Sequence, residues 1–187
     1  LLYVADCLRL NDNRDGNYSE VEKQLITFSN RKMIYDQIRF IDVVGNEIIR
    51  VNYYNDGAIL VDKANLQNKK DRYYFTDTTK LKENQIYISK LDLNIENNEI
   101  EQPIKPMIRI STPYYVNGTL KGIIVLNYLA DDILNQVEQV ASTSNGNIFM
   151  LNSDGYWLFN SHNNNKEWSF MYEDKADISF PNEFPVE

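Results

Sequence analysis

The sequence predicts an α+β protein built on antiparallel sheets, and three observations carry that prediction. Asparagine is abundant and alanine scarce, 24 against 6 in 187 residues, and Asn disfavours helix interiors while serving turns and caps. After Ile34 the apolar period changes from helical to alternating, as expected where a helix gives way to strands. Turn signals at Val44-Gly45-Asn46, Asn117-Gly118 and Ser153-Asp154-Gly155 then separate short apolar runs, each reading as a hairpin.

Leu1, Val4, Ala5 and Leu8 recur at helical spacing, so the chain starts within a helix, which the polar stretch 11–17 interrupts. Ser19-Glu20-Val21-Glu22 has the form of a capping box, and Val21, Leu25 and Phe28 form an i, i+4, i+7 stripe, giving a second helix over about 19–32. Ile38 and Phe40 alternate with Arg39 and Ile41, and Ile49, Val51 and Tyr53 alternate on the return, followed by a short strand at 58–61. Residues 62–81 read as a loop with a short helix around Tyr73-Tyr74-Phe75, 85–90 as a strand, and 91–106 as a loop. Strands are expected at 107–116 and 120–128, a helix at 131–141, and a last hairpin at 147–151 and 156–160.

That last hairpin repeats the first at an offset of 110 residues. Ile38 falls on Ile148, Ile41 on Leu151, Asp42 on Asn152, Gly45 on Gly155 and Ile49 on Phe159. A chance match of two ordinary hairpins is the alternative to a tandem duplication.

Composition excludes several functions. There are 19 Lys+Arg against 27 Asp+Glu, a net charge of −8, the wrong sign for replacing counterions on phosphates, so no nucleic-acid partner is expected. One cysteine, Cys7, forms no internal disulfide, and with the single His162 cannot build a structural zinc site. Acidic residues follow no calcium-loop pattern, there is no glycine-rich phosphate loop, and no convincing carboxylate pair; catalytic residues, metal and cofactor are all expected to be none. The chain begins Leu1-Leu2-Tyr3 and ends Pro185-Val186-Glu187, which reads as a piece excised from a longer protein. It has no run of the 18–20 apolar residues that cross a bilayer.

Tyr35-Asp36-Gln37-Ile38-Arg39-Phe40-Ile41-Asp42 with Gly45–Asn52 resembles the opening hairpin of double Cache domains, the PAS-like extracytoplasmic sensors of bacterial histidine kinases, diguanylate cyclases and chemoreceptors. The likeness continues through Lys70–Phe75, Ile86–Ser89, Leu91–Asn94, Pro103, Pro106–Arg109, Gly122–Tyr128, Asn152–Leu158 and Lys166–Met171. It implies a long N-terminal helix packed along tandem modules with antiparallel sheets. The expected division is a helical segment 1–33, a membrane-distal module 34–128, a connecting helix 129–144 and an incomplete membrane-proximal module 145–187. The amino-acid-sensing branch carries an arginine followed closely by Trp-Tyr. Here Arg72 precedes Tyr73-Tyr74-Phe75 without that Trp, so amino-acid recognition does not carry over.

Strand parity puts Tyr87 with Ser89, Arg109 with Ser111, and Ile123 and Val125 with Asn127. Polar groups among apolar ones on the sheet face away from the long helices suggest a pocket lined by Tyr74, Tyr87, Ser89, Arg109 and Asn127, with Arg72 and Asp92 at its mouth. Arg109 suits a carboxylate ligand, or else pairs with Asp92 or Glu101. Arg72 closes over an anion or is merely solvated. Asp92 accepts from an ammonium or bonds its own backbone. Asn127, if buried, needs partners from ligand or protein.

The expected function is ligand sensing by the input domain of a membrane-anchored receptor, with no catalysis in the domain itself, any catalysis being expected of a parent histidine kinase or diguanylate cyclase. The partners implied are a small organic acid or amino acid and a second copy bound weakly through the N-terminal helix. A free or lipid-anchored solute-binding or adhesion module is the alternative.

Overall fold

The computed structural model describes residues 1–11 and 17–185. In chain order the elements are α1 (Leu2–Leu10), α2 (Ser19–Lys32), β1 (Tyr35–Asp42), β2 (Glu47–Tyr54), β3 (Gly57–Leu60), α3 (Tyr73–Thr79), β4 (Tyr87–Ile88), β5 (Asp92–Leu93), β6 (Ile95–Glu96), β7 (Glu99–Ile100), β8 (Pro106–Val116), β9 (Thr119–Leu129), α4 (Asp131–Thr143), β10 (Phe149–Leu151), β11 (Trp157–Asn160) and α5 (Phe180–Glu183). They form two compact units. The first holds residues 1–89 and 108–129, the second 90–107 and 130 onward. The segment 90–107, a loop of the first module in the sequence reading, thus belongs to the second unit.

The first unit is an antiparallel sheet of order β3-β2-β1-β9-β8-β4. One face carries α1 and α2. Val4, Leu8, Val21 and Leu25, at helical spacing, bury against Ile38, Phe40, Ile49, Val51, Ile124 and Leu126, which are alternate residues of β1, β2 and β9. Burying each such side chain stabilises by about 1.5–3 kcal/mol, so this face dominates the core. The other face is covered by α3, where Phe75 and Tyr74 pack on Ile41, Ile123 and Val125. Gly122 lets β9 approach β1, since a Cβ there would lie 2.1 Å from the Ile41 carbonyl oxygen.

Three expectations need correction. Ser19 does not cap α2: it is the first helical residue, its N–H donates to Asn17 Oδ1 at 3.1 Å, and no side chain caps the helix at Tyr18. The strand expected at 85–90 shortens to β4, because side chains take over its ladder. Ser89 Oγ accepts from the Arg109 N–H, and Thr112 Oγ1 donates to the Gln85 carbonyl, both at 2.8 Å. The loop 91–106 contains β5, paired with the start of β8, and the small β6–β7 hairpin turned by Asn97 and Asn98 at positive φ. The interruption expected at 11–17 lies mostly outside the described residues.

In the second unit, Leu93, Leu158 and Trp168 form the core, with Leu134 and Met150 against them. Residues 145–185 contain the two-stranded β10–β11 sheet, three short 3₁₀ turns and α5.

The β10–β11 turn reproduces the bonds that close the backbone of the β1–β2 turn. Asp42 Oδ1 accepts from the N–H groups of Val44 and Asn46, and Asn152 Oδ1 from those of Asp154 and Tyr156. The Gly45 and Gly155 N–H groups donate to the carbonyls of Asp42 and Asn152, with φ at +92° and +82°. The strand registers, including the bulge, also coincide: Arg39–Arg50, Phe40–Ile49 and Ile41–Glu47 correspond to Phe149–Asn160, Met150–Phe159 and Leu151–Trp157. The 110-residue repeat is therefore structural.

Candidate functional site

The pleat of β1 sends Ile38 and Phe40 toward the helices and Gln37, Arg39 and Ile41 toward α3. On β9 the same alternation turns Ile123, Val125 and Asn127 toward α3, opposite their partners Ile41, Arg39 and Gln37. The result is a polar layer between α3 and the sheet.

Two arginines dominate it. Arg39 and Arg109 are each only 1% exposed. Arg39 Nη1 donates to the Tyr74 hydroxyl at 3.3 Å, and the Arg109 guanidinium lies over the ring of the same tyrosine, 5.1 Å from its centroid. Gln37 Oε1 accepts from Arg39 Nη2 and from Asn127 Nδ2, the latter at 2.9 Å. Arg39 is neutralised by Glu47, whose Oε1 is 3.0 Å from Arg39 Nε and whose Oε2 accepts from Arg50 Nη1 at 3.0 Å and from the Gln67 N–H at 2.9 Å. Thr78 Oγ1 donates to the Tyr74 carbonyl, so the Ser111 hydroxyl, 2.5 Å away, is the donor between the two. These bonds fasten α3 to β8.

Of the residues singled out from sequence, Tyr74, Arg109 and Asn127 are buried in this layer, and Tyr87 packs against it, its hydroxyl donating to Asp77 Oδ2 at 3.3 Å. The Ser89 hydroxyl accepts from the backbone of Arg109. Arg72 is half-buried at the entry to α3, its carbonyl accepting from the Phe75 and Thr76 N–H groups. Asp92 is a buried residue of the second unit, paired with Met107. Sequence reasoning missed Gln37, Arg39, Glu47 and Arg50. The signal was present in parity: Arg39 and Arg50 occupy strand positions opposite Ile38, Phe40, Ile49 and Val51.

Two grooves lie elsewhere. One, about 810 Å³, is within the first unit at the start of α2, lined by Tyr18, Glu22, Lys63, Gln67 and Asn68 among others. The other, about 830 Å³, is within the second unit and includes Asp131, Glu138, Asn160, His162, Glu167 and Trp168. Burial pushes the carboxyls of Glu167 and Asp131 above their ordinary range, with repulsion from Glu138 and Asp132 adding to it, while the Asn160 N–H and Lys105 oppose it. The first groove reaches the α3 layer only at Glu47, and the lining of the second includes none of its residues. Among the described residues no group of three or more His, Cys, Asp or Glu could hold a metal ion, and no helix is long and apolar enough to cross a membrane.

Comparison with known proteins places this architecture. A domain of a protein assigned to the sensory box/GGDEF family from Vibrio parahaemolyticus superposes with a TM-score of 0.73 at 24% identity, covering 98% of this chain and 67% of that one. The extracellular domain of a protein designated histidine kinase vpHK1S-Z8 gives 0.70 at 25% identity, covering 98% and 64%. The ligand-binding domain of the Pseudomonas fluorescens chemoreceptor CtaA, in complex with L-serine, gives 0.55 at 13%, covering 98% and 66%. The chain thus spans about two thirds of the length of these structures. A search of curated proteins finds no match. The sequence profile described as "bacterial histidine kinase, sensor domain" matches residues 4–187. The polar layer beneath α3 therefore sits in a non-catalytic input module, and the chain belongs to the bacterial histidine kinase sensor domain family.

Proposed function

We propose that this sensor domain is the extracytoplasmic input of a membrane-anchored receptor, and that it binds a small anionic metabolite, an organic acid or amino acid, between α3 and the sheet of its first unit. One observation carries the reading: two guanidinium groups, both almost fully buried, converge on Tyr74, one by hydrogen bond and one over the ring. Arginine presents a planar fork of donors that matches a carboxylate, and its charge acts strongly where water is excluded. Arg109, Tyr74, Asn127 and Arg39 would contact the ligand, and Arg72 would close the entry at the start of α3. Chemoreceptor ligand-binding domains of this fold are solved in complex with amino acids, L-serine in one and 4-methylisoleucine in another, which supports a small carboxylate as the kind of ligand.

Ligand binding would signal by favouring one arrangement of the first unit over another, in proportion to its differential affinity for the two. We further propose that two copies associate weakly through α1. The test of the ligand reading is a thermal-shift screen of organic acids and amino acids on the wild-type domain, Arg109→Lys and Arg109→Ala. A binder should raise Tm progressively as its concentration exceeds Kd, with the shift reduced in Arg109→Lys and lost in a folded Arg109→Ala. The reading fails if no acid stabilises the wild type, or if both variants respond as the wild type does.

A further inference from the structure

We infer that the ligand carries a hydrogen-bond donor beside its carboxylate, as an amino or hydroxy acid does, and that Asn127 Oδ1 receives it. The inference rests on the anionic-ligand reading above and narrows it.

The argument begins with the orientation of two side-chain amides. Oxygen and nitrogen of an amide are assigned from their partners, and here the partners leave one solution. A guanidinium has donors and no acceptor. Arg39 Nη2 contacts the Gln37 amide, so the atom it meets is the oxygen, Oε1. The same oxygen lies 2.9 Å from the Asn127 amide, so the Asn127 atom facing it is the NH₂ group. Asn127 therefore presents its carbonyl oxygen the other way. Asn127 is 0% exposed, and among the described residues its Oδ1 has no hydrogen-bond partner. Rotating the amide would put NH₂ there instead, but would set two oxygens against each other at Gln37.

Tyr74 completes the pattern. Its hydroxyl oxygen accepts from Arg39 Nη1, which leaves its own hydrogen for a further acceptor. The layer thus offers donors suited to a carboxylate, and one buried acceptor that a carboxylate cannot satisfy. A plain carboxylic acid would leave Oδ1 desolvated and unpaired, whereas an ammonium or hydroxyl on the ligand would satisfy it. The difference corresponds to roughly 5- to 150-fold in affinity.

The experiment compares matched acids by calorimetry and thermal shift: L-alanine, lactate and propionate; L-aspartate, malate and succinate; L-valine, 2-hydroxy-3-methylbutanoate and 3-methylbutanoate. For at least one set, the wild type should bind the amino or hydroxy member about 10-fold or more tightly than the plain acid. The better of the two identifies which donor Asn127 meets. Asn127→Leu should lose the preference while still binding the acids. If that variant does not melt cooperatively, the near-isosteric Asn127→Asp should favour the amino member over the hydroxy member more than the wild type does. Equal binding of plain and substituted acids by the wild type overturns this inference and leaves the anionic reading standing. A preference that survives in a folded Asn127→Leu, or that is unchanged in Asn127→Asp, also overturns it. Binding of none of the nine acids removes both readings.

Discussion

Glu47 is a carboxylate on which Arg39 and Arg50 both close, and its side chain is 0% exposed. Burying an ion pair brings little net stability, but removing one partner leaves a charge that water cannot reach. Glu47→Gln keeps the shape and the acceptor for the Gln67 N–H while deleting the charge, leaving both guanidiniums without it. We expect a loss of about 3–5 kcal/mol in urea denaturation. A loss below about 1 kcal/mol would show that the two arginines do not depend on it. This triad was hidden in sequence, because its members are separated by strand register and not by a motif. Arg109 stands out in the sequence as a charge inside an apolar strand, whereas Arg39, in the same situation, is legible only as part of an alternation.

The turns separate two demands that a glycine can meet. Gly45 has φ of +92°, and a Cβ there would lie 2.6 Å from Lys70 Cβ and from its backbone nitrogen. Gly118 has φ of +74° with nothing within 4 Å of an added Cβ. Gly118→Ala should therefore cost only the left-handed backbone term, about 1–2 kcal/mol. Gly45→Ala should cost that and a further 1–3 kcal/mol or so for displacing backbone. Equal losses in paired chemical denaturation experiments would refute the close approach of Lys70. Elements encoded locally were legible: the α2 stripe and the Asn117-Gly118 turn were both placed from their own residues. Elements made by distant partners were not. The β4 strand is cut short by side chains of Ser89 and Thr112, whose partners lie 20 and 27 residues away, and the grouping of 90–107 with the second unit depends on Leu91, Leu93 and Ile100 packing with Leu158 and Trp168, which no local pattern announces.

For the molecule as a whole, α1 leaves Leu10 83% and Leu2 60% exposed while Val4 and Leu8 are buried. A surface of this kind suits a second copy held close by anchoring, where effective concentration replaces affinity. Sedimentation of the isolated domain should show reversible, concentration-dependent association that Leu10→Glu abolishes. A dimer persisting at nanomolar concentration, or one indifferent to Leu10→Glu, would contradict weak pairing through α1.

The duplicated hairpin has a further consequence. Both copies keep the Asp or Asn at 42 and 152 and the glycines at 45 and 155, while Arg39, Glu47 and Arg50 stand where the second copy has Phe149, Trp157 and Asn160. The molecule thus contains its own control experiment: one backbone design written with two different sets of strand residues, Trp157 and Asn160 buried and Phe149 exposed in the second. What both versions retain is the requirement of chain closure. What they exchange is released from that requirement: the second copy forms the same turn and the same bulge without charges at these positions, so the buried charges of the first copy are not what closes its hairpin.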